Sequence, residues 1–308
     1  MGDRMLNIGV VGLGNIAQKA YLPVYAELQD QAQFYLVSRD LQKVTQIANK
    51  YHMVAAGTDL DALDNLQLDA VMIHAATSVH YEMVEHFLAR NVNVYVDKPL
   101  ATNMDQVTEL YLLAAQHQKL LTVGFNRRFA PAIKTLIDMP EKNLITVTKN
   151  RVASPQPPKE AIFDLLIHPL DTALALAGFP SEPTARYTMH ADKDGALEQA
   201  SVTFMGSGMR GEASINMVAG TNLEEATVGT PNGLFRVQDL ATSHTYHGTS
   251  HTEIASPDWQ PMLETRGFAP LVRAFFDAVA NSGENPVAPA TSRLTHQLLC
   301  DMVAQLQA

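Results

Sequence analysis

The sequence predicts two domains: a doubly wound parallel α/β sheet, then an α+β domain with an open, mostly antiparallel sheet. Three observations lead there. A short apolar run, Leu6 to Val11, breaks at Gly12 and passes into a helix-compatible stretch from about Ile16. Apolar strands and helical stretches then alternate to about residue 123, the signature of a parallel sheet. After residue 130 the pattern changes to successive short strands of alternating polarity. The chain of 308 residues exceeds the usual single domain, and the division is placed at 1–123 and 124–308.

The first break is the most informative stretch. Gly12-Leu13-Gly14-Asn15-Ile16-Ala17 stands after a strand and before a helix, the context that a Rossmann dinucleotide site requires. Gly12 permits the sharp turn, Gly14 lets the backbone approach a pyrophosphate, and Ala17 is small enough to keep helix and strand close. The amides of Asn15 and Ile16 open the helix, where unpaired N–H groups and a partial positive charge would receive phosphates. The competing reading is a glycine turn with nothing bound.

Taken in order, helix one runs to about Leu28, with a kink or restart at Pro23. Phe34–Val37 is the second strand. Where an NAD site would place an acidic side chain for the ribose 2′-OH, the chain has Ser38 and Arg39, then Asp40. A hydroxyl plus a guanidinium suits a 2′-phosphate, so NADP is expected before NAD. In the alternative, Arg39 is solvated and Asp40 holds the ribose. A helix over Leu41–Tyr51 and a short strand near Val54 follow. The strand Asp69–Ala76 is apolar on both faces and delivers Ala75, Ala76 and Thr77 to the ligand-binding crevice beside strand one. His80 opens the next helix, as a cofactor contact or as a capping or surface histidine.

Val92–Val96 runs into Asp97-Lys98-Pro99, where proline stops the strand and aims Lys98 from its end. Thr102 and Asp105 suggest a capping box for a helix to about His117, and Leu120–Gly124 is the sixth strand.

These residues resemble a known family. The Gly12–Ala17 turn, Asp97-Lys98-Pro99 and Gly124-Phe125-Asn126-Arg127-Arg128-Phe129 look like the Gfo/Idh/MocA oxidoreductases, and the likeness is closest to their bacterial branch labelled virulence-factor oxidoreductases. Asp97 stands here for the family's commoner glutamate. The resemblance implies a cofactor site that also takes in Asp97, Lys98, Asn126 and Arg127.

In the second half, strands are expected around Leu144–Arg151, Ala185–His190, Gln199–Phe204, Gly211–Asn216, Glu225–Val228 and Leu234–Val237. Closing helices are expected over Phe268–Asn281 and Thr291–Gln307. A helix over about Lys159–Ala177 carries Asp164 and His168, four apart and so on one face, with Pro169 set to kink it. By the residues alone this pair also reads as an ordinary surface pair. The family pattern places an aspartate four residues before a histidine on this helix, facing substrate, and a second aspartate three residues after it. Asp164, His168 and Asp171 match it, although the glycine run that commonly precedes the first aspartate is absent. The resemblance thus implies Lys98, His168 and Asp164 as the catalytic set, with the reacting carbon in a cleft between the domains.

Composition excludes several classes of function. A net charge of −10 opposes nucleic acid and anionic membranes as partners. The lone Cys300 provides no disulfide framework, and no apolar run approaches a membrane span, so a cytoplasmic chain is expected. His244, His247 and His251 match no zinc spacing and read as a wet loop, so no metal is expected. Trp259, between Pro257 and Pro261, reads as an edge anchor or a contact between subunits.

The expected function is hydride transfer between NADP (NAD as the alternative) and a sugar, polyol or related small hydroxy compound. A non-catalytic dinucleotide sensor and an NAD-assisted glycosidase are the alternatives on the same fold. A homodimer or dimer of dimers is expected, on the argument that the second sheet's free face exposes apolar side chains.

Overall fold

A computed structural model of the chain describes residues 5–206 and 208–306. They divide into two compact units, 1–124 with 268–290 and 125–267 with 291–308.

The first unit holds a six-stranded sheet. Its strands are β1 (Leu6–Val11), β2 (Ala32–Val37), β3 (Val54–Gly57), β4 (Ala70–Ile73), β5 (Asn93–Val96) and β6 (Leu121–Val123), in the order β3-β2-β1-β4-β5-β6. Every pairing is parallel. β1, β4 and β5 are almost wholly buried because helices cover both faces. The covering helices are α1 (Leu22–Glu27), α2 (Leu41–Tyr51), α3 (Asp61–Asp64), α4 (His80–Leu88) and α5 (Met104–Gln116). Strand order reverses between β1 and β4, which makes the ends of those strands the switch point.

Two features differ from expectation. The cap of α5 is Asn103, whose side chain accepts from the Asp105 amide at 2.7 Å, and not Thr102. A short amide side chain at the N-cap satisfies an orphan N–H directly. The helix Phe268–Asn281 joins the first unit, whereas the sequence reading kept 124–308 together. Its apolar stripe explains why: Phe276 stacks near Tyr25 and Phe34, and Phe275 meets Tyr95 edge-on. Asn285 then donates to Leu121 O at 2.7 Å and accepts from Thr122 at 2.8 Å, tying the following loop to β6.

The second unit opens with a 3-10 turn (Asn126–Phe129) and α6 (Pro131–Ile137) and holds an eight-stranded sheet of β7 (Leu144–Asn150), β8 (Thr184–Ala191), β9 (Leu197–Gly206), β10 (Met209–Asn216), β11 (Leu223–Thr230), β12 (Gly233–Gln238), β13 (Thr242–His247) and β14 (Ser250–Ile254). The order is β14-β13-β12-β11-β7-β10-β9-β8, antiparallel except where β7 runs parallel to β10. Between β7 and β8 lie α7 (Pro158–Ala161), a π turn (Ile162–Leu166) and α8 (Ile167–Leu176); α9 (Met262–Thr265), the helix just described as α10, and α11 (Pro289–Ala304) complete the chain. Ile145, Val147, Val202, Ala213, Ile215, Ala226 and Val228 are buried on one face of the sheet, and α8 packs against β7 and β10.

β13 and β14 correct the wet-loop reading of 244–251: His244 and His251 sit on paired strands, with Tyr246 opposite His251. The reading missed them because β14 is exposed along its whole length and shows no apolar alternation. Nor is the other face of the sheet the apolar surface expected. It carries half-exposed Thr146, Thr148, Ser201, Thr203, Glu212, Ser214 and Thr227.

Each of the two π turns precedes a proline. Ala17–Tyr21 leads to Pro23, and Ile162–Leu166 leads to Pro169. Proline lacks the N–H that would close the helical bond to the residue four before it, and its ring crowds that carbonyl. A widened turn relieves both.

Candidate active site

In the first unit the expected nucleotide residues follow the C-terminal ends of β1, β2, β4 and β5. Gly12 has φ +88°, and a Cβ there would lie 2.8 Å from the carbonyl carbon and oxygen of His74. Only glycine fits. A Cβ on Gly14 would meet nothing within 4 Å, so that backbone faces open space. Gln18 N bonds Gly14 O at 3.1 Å, so the first helical bond is taken by the second glycine, and Asn15 and Ile16 are exposed at the helix start, just before the π turn. An accessible glycine backbone that leads into helix amides fits a dinucleotide pyrophosphate. Ser38 is half-buried and Arg39 exposed after β2, while Asp40 caps α2 by accepting from the Lys43 amide.

Ala75, Ala76 and Thr77 follow β4. His80 is not a surface histidine. It is buried, with Nδ1 2.8 Å from Pro99 O and Nε2 3.1 Å from Ala75 O. Burial lowers its pKa, only partly offset by these carbonyls. It thereby links the chain after β4 to the chain after β5.

Lys98 is half-buried at the end of β5 and precedes a cis peptide to Pro99. Asp97, expected to help hold the cofactor, has both oxygens committed within the protein. Tyr21 donates to Oδ1 at 2.5 Å, and His74 Nδ1 lies 3.1 Å from Oδ2. Tyr25 meets His74 Nε2 at 2.7 Å, and Tyr95 lies 3.0 Å from the Tyr21 hydroxyl. Burial alone would raise the Asp97 pKa, but His74 and the hydrogen bonds outweigh it and hold the carboxyl below its ordinary value. The Tyr21 and Tyr25 hydroxyls are pushed up, chiefly by burial, and stay protonated.

In the second unit Asp164 lies in the π turn and His168 in the first turn of α8. Asp164 is exposed and His168 half-buried, on a helix whose other side chains are almost all buried. Arg127 and Asn126, expected at the cofactor, are engaged otherwise. Buried Arg127 forms a bidentate pair with Glu224, and its Nη1 donates to His168 Nδ1 at 2.7 Å. Asn126 donates to Arg266 O at 2.7 Å. Lys149 also bonds Glu224, at 3.0 Å. Burial would raise the Glu224 pKa, yet Arg127 and Lys149 bring it well below the carboxylate range. Burial and the neighbouring Arg127 bring Lys149 down to about 8, against the pull of Glu224. Asp171 is a structural group: it pairs with Arg128 at 2.5 and 2.8 Å and accepts from Thr295 at 2.9 Å. The Arg128 guanidinium lies over the rings of Phe125 and Phe179, 4.8 and 4.4 Å from their centres.

Among the described residues no cluster of His, Cys, Asp or Glu is placed to hold a metal ion, and no helix is long and apolar enough to cross a membrane.

Comparison with known proteins follows the same lines. The family profile described as oxidoreductase family, NAD-binding Rossmann fold (GFO_IDH_MocA), matches residues 6–125. The Salmonella typhimurium protein YceM, named as an oxidoreductase, is 35% identical over 283 residues, covering 90% of this chain and 91% of its own. The chain belongs to the Gfo/Idh/MocA family. A Gfo/Idh/MocA oxidoreductase from Vibrio cholerae superposes with a TM-score of 0.89 at 30% identity over 98% of both chains. The inositol 2-dehydrogenase of Rhizobium meliloti is 28% identical over 155 residues, 45% of this chain and 47% of that one.

For this Gfo/Idh/MocA member the sequence reading missed Tyr21, His74, Lys149 and Glu224. Two signals were present. His74 directly follows an all-apolar buried strand, and Lys149 shares the inward parity of Ile145 and Val147 on β7. A polar residue at an inward position calls for a partner.

Proposed function

We propose that this chain catalyses hydride transfer between a nicotinamide cofactor, NADP(H) in preference, and a hydroxyl-bearing carbon of a sugar, polyol or related small compound. The observation that carries the reading is the placement of the glycine turn and Lys98 at one edge of one parallel sheet, on strands separated by β4 alone. The relationship to an inositol dehydrogenase supports the substrate class.

Gly12, Gly14 and the amides of Asn15 and Ile16 would hold the pyrophosphate, with Ala75–Thr77 alongside. Ser38 and Arg39 would hold the 2′-phosphate. Asp40 accepts from the Lys43 amide as the cap of α2, which favours its staying on the helix over turning to a ribose. The bound nicotinamide supplies or accepts the hydride. Lys98 holds the substrate oxygen: as ammonium it stabilises negative charge on that oxygen and gives a proton to it in reduction, and as amine it takes the proton in oxidation. His168 assists as acid or base. Because Arg127 donates to Nδ1, proton exchange at this ring runs through Nε2. Asp164, one helical turn earlier, orients the ring or a substrate hydroxyl.

Titration and turnover test the two parts together. NADP(H) should bind the unmutated protein more tightly than NAD(H), and equal affinities would remove the NADP preference. Lys98→Met should leave nucleotide affinity within a few-fold and lower turnover about a hundredfold or more, the usual scale of acid–base catalysis. Turnover within a few-fold of the unmutated enzyme would overturn the role of Lys98.

A further inference from the structure

The buried chain Tyr25–His74–Asp97–Tyr21–Tyr95 has no part in the chemistry above. Tyr25 and Tyr95, at its two ends, are fully buried, and Asp97 in its middle is the one member partly open to solvent. Its bonds converge on Asp97. Tyr21 donates to one oxygen, and His74 Nδ1–H donates to the other whether its ring is neutral or charged. Tyr21 also stacks on His74, with ring centres 3.9 Å apart. The wall of the site is Gly124, where a Cβ would lie 3.0 Å from the Tyr95 hydroxyl and 3.2 Å from that of Tyr21. A side chain there would press on both hydroxyls.

Its three central members are anchored to parts of the proposed machinery. Tyr21 closes the π turn that follows the glycine turn. His74 bonds Val11 O through its amide at 2.8 Å, and its carbonyl is the group that excludes a side chain from Gly12. Asp97 bonds Ile73 O through its amide and immediately precedes Lys98. We propose that Tyr21 and His74 are positioning residues for Lys98, acting through Asp97 to fix the end of β5 relative to the glycine turn. The physical reason is the cost of a largely desolvated carboxylate with water close by. Deprived of either donor, Asp97 would turn toward water and carry the strand end with it. The inference rests on the hydride-transfer reading and deepens it.

The test uses the full chain and four variants. Tyr21→Phe removes one hydroxyl. His74→Leu removes the imidazole donor, and His74→Asn offers an amide nitrogen in place of Nδ1. Asp97→Asn removes the charge. Tyr21→Phe and His74→Leu should keep NADP(H) affinity within about twofold and substrate KM nearly unchanged. Their turnover should fall between about ten- and a hundredfold, the scale of a small misplacement of a catalytic group. His74→Asn should recover most of it, which a merely space-filling role for His74 would not predict. If His74→Leu does not fold, Tyr21→Phe and Asp97→Asn carry the same comparison. Acylation of lysines followed by peptide mass spectrometry supplies a readout that needs no substrate. Labelling of Lys98 relative to the other lysines should rise several-fold in Tyr21→Phe, His74→Leu and Asp97→Asn, and return in His74→Asn. Unchanged Lys98 labelling in all four variants would overturn the proposal. Absence of turnover in the unmutated chain would count against hydride transfer alone, because the labelling still decides the brace.

Discussion

Gly12 and Gly14 are separated by one residue, yet the structure asks different things of them. At Gly12, φ of +88° and the His74 carbonyl at 2.8 Å forbid a side chain, so Gly12→Ala should cost on the order of 2 kcal/mol in stability. Gly14 has neither constraint. Gly14→Ala should melt within about 0.5 kcal/mol of the unmutated protein, as an unhindered substitution does. Its methyl would stand where a pyrophosphate approaches, so NADP(H) affinity should fall about tenfold or more, a loss of ~1.4 kcal/mol. Thermal melts and calorimetric titration on the two variants check this; equal affinity in Gly14→Ala and the unmutated chain would move the phosphate site elsewhere. Both glycines were legible in the sequence because their signal is local: an apolar run, a glycine, a helix. Lys98 was legible for the same reason, being wedged before a proline. Tyr21 and His74 were not. Their meaning depends on Asp97, which lies 76 residues from Tyr21 and 23 from His74, and no spacing rule links a phenol, an imidazole and a carboxylate across three elements.

At the scale of elements, β7 and β11 bring Lys149 and Glu224 together with Arg127. Three buried charges close on one another, two cationic and one anionic. Removing the anion leaves the two cations facing each other without compensation, and breaking such a buried pair costs about 3–5 kcal/mol. Glu224→Gln should destabilise by that order in denaturant titration. Lys149→Met in the same background should recover part of the loss, since a lysine already brought down to about 8 is the weaker-held cation. Additive effects of the two substitutions would contradict the coupling. The longer helices and the first six strands of the second sheet could be read from periodicity because each buries one face, and the central parallel strands from unbroken apolar runs because they bury both. β14 could not: it is an exposed edge strand of Ser, His, Thr, Glu and Ile, defined by its pairing with β13 alone. The helix Phe268–Asn281 was legible in its extent, but not in its allegiance, which Phe275 and Phe276 decide by meeting aromatic partners far away in sequence.

For the molecule as a whole, the buried titratable groups set a direction of pH dependence. His296 is fully buried and donates to Ser292 O; burial lowers its pKa to about 4 from the ordinary 6.5. Between those values the unfolded chain takes up a proton that the folded one does not, so stability falls as pH drops through the window and levels off below it. The full effect for one buried histidine is about 3 kcal/mol. Glu224 acts in the same sense: its depressed pKa gives stability that is present above the ordinary carboxylate value and lost on further acidification. The melting temperature should therefore decline from neutral pH toward pH 4, and His296→Asn should flatten the upper part of that decline; an identical slope would show that His296 titrates normally in the folded chain. The central claim, transfer of hydride by this chain, is tested most directly by isotope. The protein is incubated with reduced NADP carrying deuterium at the transferable position and a panel of keto-sugars and keto-polyols, and the products are weighed by mass spectrometry. The account predicts one deuterium on the new hydroxyl-bearing carbon of at least one product, with Lys98→Met slower by about a hundredfold. Cofactor binding with no transfer across the panel, or glycoside cleavage without net oxidation of the cofactor, would contradict it.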